Sequence, residues 1–227
     1  MLGLERHGAI PVRFILTAVI LATLAPVVLA SGYSLLRFAE DQRRSYEQQA
    51  LRIATRTAAA VDRDLELLDI ALETLGATGR PPNPLEVRAL ELQTGGVLVH
   101  RPGVCRDAAY ASNLRLEPEP HVVICGPGGP DLAARMPVAS LGRNLTAAGA
   151  DERWTLSIVD NADRIIWRSR DAPAHVGDLA TADLRRNARG AAGFWRGTTL
   201  EGTQVVAAYA RSRTTGFRVA VGAPVGI

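Results

Sequence analysis

The sequence contains no lysine: all 26 of its basic residues are arginine, set against 23 acids. The arginines are interleaved with the acids rather than gathered, and a formal net charge of +3 is too small and dispersed for a nucleic-acid surface. The bias fits a GC-rich genome, because arginine codons are GC-rich and lysine codons are not. Cysteine is nearly absent, with only Cys105 and Cys125. There is no CxxC, and His100 and His121 lack an acid or a third histidine at ligating spacing, so neither a metal nor another cofactor is expected. GxSxG, HExxH and SxxK are also missing. His7, His100, His121 and His175 lie far apart, and nothing assembles them with a nucleophile, so no catalytic residues are assigned. The turn cluster Gly126-Pro127-Gly128-Gly129-Pro130 lacks the lysine and following helix of a phosphate-binding loop.

Charge is missing altogether between Arg13 and Arg37, where the chain reads FILTAVILATLAPVVLASGYSLL. The run Phe14–Ala30 approaches the ~20 apolar residues a helix needs to cross a bilayer. It stands near the N-terminus behind Arg6 and Arg13, as an export signal does. Cleavage after Ala30 is one reading, since Val28-Leu29-Ala30 followed by Ser31 suits a signal peptidase. A retained anchor is favoured, because the run exceeds the usual signal core and a polar helix continues from it. Arg37, Arg43 and Arg44 outnumber the arginines before the span, so charge does not fix the orientation. The export signature favours an inner N-terminus, with the bulk of the chain beyond the membrane. In an oxidising compartment an isolated cysteine pair reads as a disulfide, the alternative being two buried thiols.

Glycine and proline are absent from residue 40 until Gly76. Leu51, Ala54, Ala58, Val61, Leu65, Leu68, Leu72 and Leu75 follow alternating steps of three and four, the seam of a coiled coil or of a helix laid on a domain. Leu67 and Ile70 widen the stripe. Two uses stay open: a helix covering a core, or a dimer stalk, and one helix can serve both. Gly76, Gly79 and Arg80-Pro81-Pro82-Asn83-Pro84 stop it.

Downstream, Asn83 and Pro84 open a short helix to Gln93, and Val97–Val99 and His121–Cys125 read as strands. From Trp154 the pattern sharpens. WTLSIVD and RIIWRS form a hairpin across Asn161-Ala162-Asp163; a helix follows at Ala182–Asn187, then strands at Phe194–Thr198, Thr203–Arg211 and Phe217–Gly222. The expected fold class is α+β: an N-terminal transmembrane helix, a long amphipathic helix, then a five-stranded antiparallel sheet flanked by helices. The expected divisions are 1–36 (cytoplasmic tip and anchor), 37–79 (long helix) and 80–227 (the remaining domain).

The stretch SIVDNADRIIWRSRDAPAHVGD resembles the VDxxGrIxxRS…vG hairpin of Cache-type, PAS-like extracytoplasmic sensor domains. ARGAAGFWRGTTLEGTQVVAAYARSRTTGFRVAVGAPV resembles their continuation, ending in AxxxSxxxGWxVxVGxP. Asp163 stands near the position where the family usually has a turn glycine. Cys105 and Cys125 resemble a cysteine pair often found in such regions, although the usual serine after the second is Gly126. The span and long helix also fit such receptors, notably bacterial histidine kinases and diguanylate cyclases. The resemblance implies a Cache-like sensor at the bacterial inner membrane, exposed to the periplasm and forming a homodimer through the long helix. It implies an output module outside this sequence, and a small-molecule ligand held between the sheet and a helix–loop region. Trp167, Trp195 and Tyr209 are the candidate aromatic wall, Arg168 and Arg211 candidate carboxylate anchors, and Asp160 a candidate amine anchor. Each has a plainer use: the aromatics as core, the arginines solvated or paired with Asp171 or Glu201. The family's fuller amino-acid-binding run, Arg-x-Trp-Tyr, is missing, so an amino-acid ligand is not supported. The competing readings are a tethered or secreted structural or interaction protein with the same fold and no small ligand, and a periplasmic enzyme. A cavity lined by Trp167, Arg168 and Tyr209 favours the sensor, whereas a filled sheet face favours the interaction protein. Asn144-Leu145-Thr146 matches a glycosylation sequon that a bacterial source leaves idle.

Overall fold

Helix α1 (Val12–Ala77), with Pro26 inside it, opens the computed structural model. The structure describes residues 12–77, 83–105, 110–126, 129–142, 152 and 154–225. His7, the breaker Gly79-Arg80-Pro81-Pro82, Pro127-Gly128 of the turn cluster and the sequon at Asn144 lie outside them. The chain divides into two units, Met1–Ser45 and Tyr46–Ile227, with the boundary inside α1. In the first, Leu21–Phe38 has a mean hydropathy of 1.4 and no buried residue, and is long and apolar enough to cross a membrane by length and composition.

In the second unit the heptad-like seam faces inward. Ala54, Ala58, Val61, Leu65, Leu68 and Leu72 are buried, joined by Ala50 and Ile53, with Leu51 and Leu75 partly buried against the same core. The seam between Ala50 and Leu72 is thus occupied within one protomer. Leu67 and Ile70 do not widen it: they are 58% and 56% exposed, on the flank that the core does not reach. Asp62 fastens the helix to the sheet by accepting hydrogen bonds from the Ser212 hydroxyl and from the Arg213 N–H at 3.1 Å.

Helix α2 (Pro84–Thr94) begins as expected, with Asn83 and Glu86 forming a reciprocal capping box. A small antiparallel sheet follows, made of β1 (Val97–His100), β2 (His121–Ile124) and β3 (Leu132–Pro137) in the order β1-β3-β2. The sequence pattern missed β3 and the short α3 (Val138–Gly142). LAARMP has no β-branched residue, yet its alternate side chains Leu132, Ala134 and Met136 enter the core. Cys105 and Cys125 are disulfide-bonded, with Cα atoms 5.7 Å apart.

The larger sheet holds β4 (Thr155–Val159), β5 (Ile165–Arg168), β6 (Ala192–Thr198), β7 (Gln204–Arg211) and β8 (Arg218–Pro224) in the order β5-β4-β8-β7-β6, all antiparallel. The short α4 (Ala172–His175) and α5 (Ala182–Asn187) lie between β5 and β6. One sheet face, with Leu156, Ile158, Ala208, Val219 and Val221, shares the core with α1. The other, with Val159, Ile165, Tyr209 and Ala220, packs Ala180, Leu184 and Ala188. A bulge sets what β5 presents to each. Ile158 opposes Trp167 and Val159 opposes Ile165, which leaves Ile166 as the extra residue. Strict alternation from Ile165 would send Trp167 to the α5 side and Arg168 into the α1 core. The bulge reverses both.

Candidate functional site

The α5-side face of the large sheet is paved with small residues. Ser157 pairs with Ala220, Thr155 with Gly222, and Gly222 with Ala207. Short side chains leave a trough there. Its walls are Trp195 on β6 and Ala180, Thr181 and Leu184 at the start of α5, where the Thr181 hydroxyl caps the helix by accepting from the Leu184 N–H. Val159 and Ile165 line it, as do Thr198, Thr199 and Leu200 of the β6–β7 turn. The cavity measures about 70 Å³ and is mostly apolar.

Arg168 lines this cavity and also a second, more polar one of about 140 Å³ bounded by Arg170, Asp171, Thr199, Glu201 and Thr203. Its residue is 4% exposed, and its guanidinium donates two hydrogen bonds to Glu201, one to Oε1 and one to Oε2 at 2.8 Å. This fork matches a planar cation to a carboxylate. Those bonds hold the Glu201 carboxyl at about 2, below its ordinary 4.5. His175 Nε2 stands 3.4 Å from Glu201 Oε1, and its Nδ1 lies 3.1 Å from Asp178 Oδ2. Nearby, Asp183 accepts from the Thr198 N–H and from Arg186, whose hydrogen bond holds that carboxyl below its usual range.

No family model matches this chain, and no curated protein matches it. Solved structures match its fold. The extracellular domain of the histidine kinase rpHK1S-Z16 superposes with a TM-score of 0.65 at 13% identity, covering 83% of this chain and 97% of that one. The ligand-binding domain of the Pseudomonas aeruginosa amino-acid chemoreceptor PctB, in complex with L-Arg, gives 0.56 at 14%, covering 79% and 88%. That of the Pseudomonas fluorescens chemoreceptor CtaA, with L-serine, gives 0.56 at 11%, covering 80% and 98%. The chain shares the fold of these extracellular and ligand-binding domains, as the resemblance to Cache-type, PAS-like sensor regions implies.

Within this fold the six expected site residues do not converge. Arg168 and Trp195 line the apolar cavity. Tyr209 shares their face but lies deeper, its ring centroid 6.0 Å from that of Trp195 and its hydroxyl accepting from the Gly190 N–H. Trp167 is on the opposite face, in the α1 core, stacked so closely over α3 that a Cβ at Gly142 would stand 1.9 Å from its Nε1. Asp160 is fully buried, and its carboxylate accepts from the N–H groups of Leu114, Ala162 and Arg164. Arg211 donates to the carbonyls of Gly216 and Ala188.

The residues that carried the family resemblance turn out to be turn-builders. Asp160 closes the β4–β5 hairpin, and Ser212 closes the β7–β8 turn by accepting from the Thr215 N–H and hydroxyl. Asp163, near the family's usual glycine, has φ +65° and bonds Arg218 through its carboxylate, so an aspartate serves a turn that favours glycine. The site residues missed by sequence reasoning are Thr181, Leu184, Thr198 and Thr199. Their only sequence signal is proximity to a cap and a turn. Among the described residues no group of three or more His, Cys, Asp or Glu could hold a metal ion, and the matched parts of PctB and CtaA are ligand-binding domains.

Proposed function

We propose that this chain is the extracytoplasmic sensor part of a membrane-anchored bacterial receptor. It binds a small molecule in the trough above β4, β8 and β7, and passes the event to α1. The observation that carries this reading is a buried arginine at the rim of an apolar cavity in a sensor-type fold. PctB and CtaA, which share the fold, are solved with amino acids bound. The uncharged segment supplies the anchor, and the bulk of the chain then lies in the periplasm. Binding shifts α1 only through differential affinity for two helix arrangements. The Asp62–Ser212 contact gives the β7–β8 turn a direct hold on that helix. Dimerisation through α1 draws on residues outside the buried seam, such as Leu67 and Ile70.

The expected site set divides accordingly. Arg168 is the anion anchor and Trp195 the apolar wall; Tyr209 supports Trp195 from beneath. Asp160, Trp167 and Arg211 hold the scaffold. A second reading, an interaction protein without a small ligand, draws support from Arg168 already having a partner in Glu201. Thermal unfolding of the full chain in detergent against a metabolite library separates the two. The sensor reading expects at least one compound to raise the melting temperature by several degrees, since a ligand at 100 times its Kd stabilises by about 2.7 kcal/mol. A flat response across the library contradicts it.

A further inference from the structure

The Arg168–Glu201 pair joins opposite edges of one sheet. Arg168 ends β5, an edge strand, and Glu201 sits in the turn after β6, the other edge strand. Four strand spacings separate those edges, roughly 19 Å in a flat sheet. The β6–β7 turn borders both cavities, Thr199 and Leu200 lining the apolar one and Glu201 and Thr203 the polar one, and this places Glu201 within reach of Arg168. The turn is built to hold that pose: the Thr199 N–H donates to the Thr203 carbonyl at 2.9 Å, and Gly202 takes φ +83° beside Glu201. A buried guanidinium with one carboxylate clamped in its fork is already a carboxylate-binding site in the occupied state.

We propose that Glu201 is a built-in surrogate ligand: it occupies Arg168 until a small organic acid with an apolar tail displaces it and frees the β6–β7 turn. This rests on the reading of the trough as the ligand site. The chemistry of the lining selects the acid. Arg168 faces the carboxylate, while Leu184, Trp195, Ala207 and Ala220 face the tail. Among the described residues no acidic side chain lines that apolar cavity, and the Asp160 carboxylate is engaged by three backbone N–H groups, so an α-amine finds no buried counter-charge there. The exchange trades one charge-assisted fork for another, which keeps Arg168 paired throughout. It also couples occupancy to a movement of the turn that walls both cavities.

A protein whose open form is populated to 10% or less binds its ligand at least about tenfold more weakly than the open form would. The test measures the Kd of propionate, with propionamide as its uncharged analogue, on the full chain in detergent by calorimetric titration. Wild type is compared with Glu201→Gln, Glu201→Ala and Arg168→Ala. The surrogate account expects propionate to bind at least about tenfold more tightly to both Glu201 variants than to wild type. Propionamide gains nothing, and Arg168→Ala binds neither. Should Glu201→Ala fail to fold, Glu201→Gln keeps an oxygen acceptor for Arg168 and reads the same effect. Unchanged propionate affinity in a folded Glu201→Gln overturns the surrogate role. So does an equal gain for propionamide. A library compound that needs Arg168 but binds wild type and Glu201→Gln equally overturns the surrogate alone and leaves the sensor reading standing. Silence of wild type and both Glu201 variants toward propionate and the whole library overturns both.

Discussion

At the scale of single residues, polar groups buried in the second unit separate into partnered and unpartnered ones. Asp160 and Arg168 have their partners. On α1 the Asp69 Oδ1 is buried without a hydrogen bond of good geometry, and the buried Tyr110 hydroxyl faces the same carboxyl. Burial raises the Asp69 pKa against the opposing pull of the Tyr110 hydroxyl, with Glu73 and Glu66 adding to the rise, and burial together with Asp69 raises that of Tyr110. A raised acid holds its proton more tightly when folded, so stability falls as pH rises from the ordinary carboxylate value through the raised one. Asp69→Asn removes that penalty, and at neutral pH the variant is expected to gain about 1 kcal/mol, read as a melting temperature higher by about 2–4 °C. An unchanged or lower melting temperature contradicts this. Glu201 has the opposite sign. Its depressed pKa gives stability that is complete above the ordinary 4.5 and lost as pH falls toward about 2. Its side chain is 41% exposed, so screening limits the contribution to about 1 kcal/mol. Acid denaturation of Glu201→Gln, followed by circular dichroism, is expected to show less of its loss between those two values than wild type. Coincident acid limbs contradict the assignment.

At the scale of elements, what was legible tracks how local the signal is. The heptad-like steps located the inward face of α1, Asn83 and Glu86 located the start of α2, and β-branched runs located β4, β5, β7 and β8. Strand β3 was hidden because alanine and arginine carry no strand preference, and only its place between β1 and β2 makes it one. The β4–β5 bulge was equally hidden, and it had the largest consequence: it sends Trp167 into the core and Arg168 to the pocket. No residue type announces a bulge here. The Asp62–Ser212 contact was also invisible, since 150 positions separate its partners. It ties α1 to the β7–β8 turn, with the Arg213 N–H as a further donor to Asp62. Asp62→Ala leaves the buried Ser212 hydroxyl without its acceptor. It is expected to cost about 2 kcal/mol in urea denaturation with an unchanged m-value. A cost under a few tenths of a kcal/mol shows that the contact holds nothing.

At the scale of the whole molecule, the architecture was readable and the site only in part. Turn residues carried the family resemblance, and they report fold: Asp160, Asp163, Ser212 and Gly216 shape loops and line neither of the two cavities described. A ligand site depends instead on which side chains border a cavity. Arg211 lines neither of the two cavities described and is held by two carbonyls, whereas Arg168 lines both and is held by Glu201. The cysteine pair was legible from compartment logic, and the bond closes a separation of 20 residues beside the small sheet. Its reduction is expected to lower stability by about 3 kcal/mol. The check is a guanidinium midpoint measured with and without reductant, and an unmoved midpoint contradicts it. The central claim is that the trough beside Arg168 is where this protein meets its ligand. The most direct measurement is the Kd of a compound that stabilises the wild-type chain, taken on wild type, Arg168→Ala and Trp195→Ala. The account predicts at least a tenfold loss in each variant, about 1.4 kcal/mol or more. Equal affinity in all three would place binding elsewhere and contradict it.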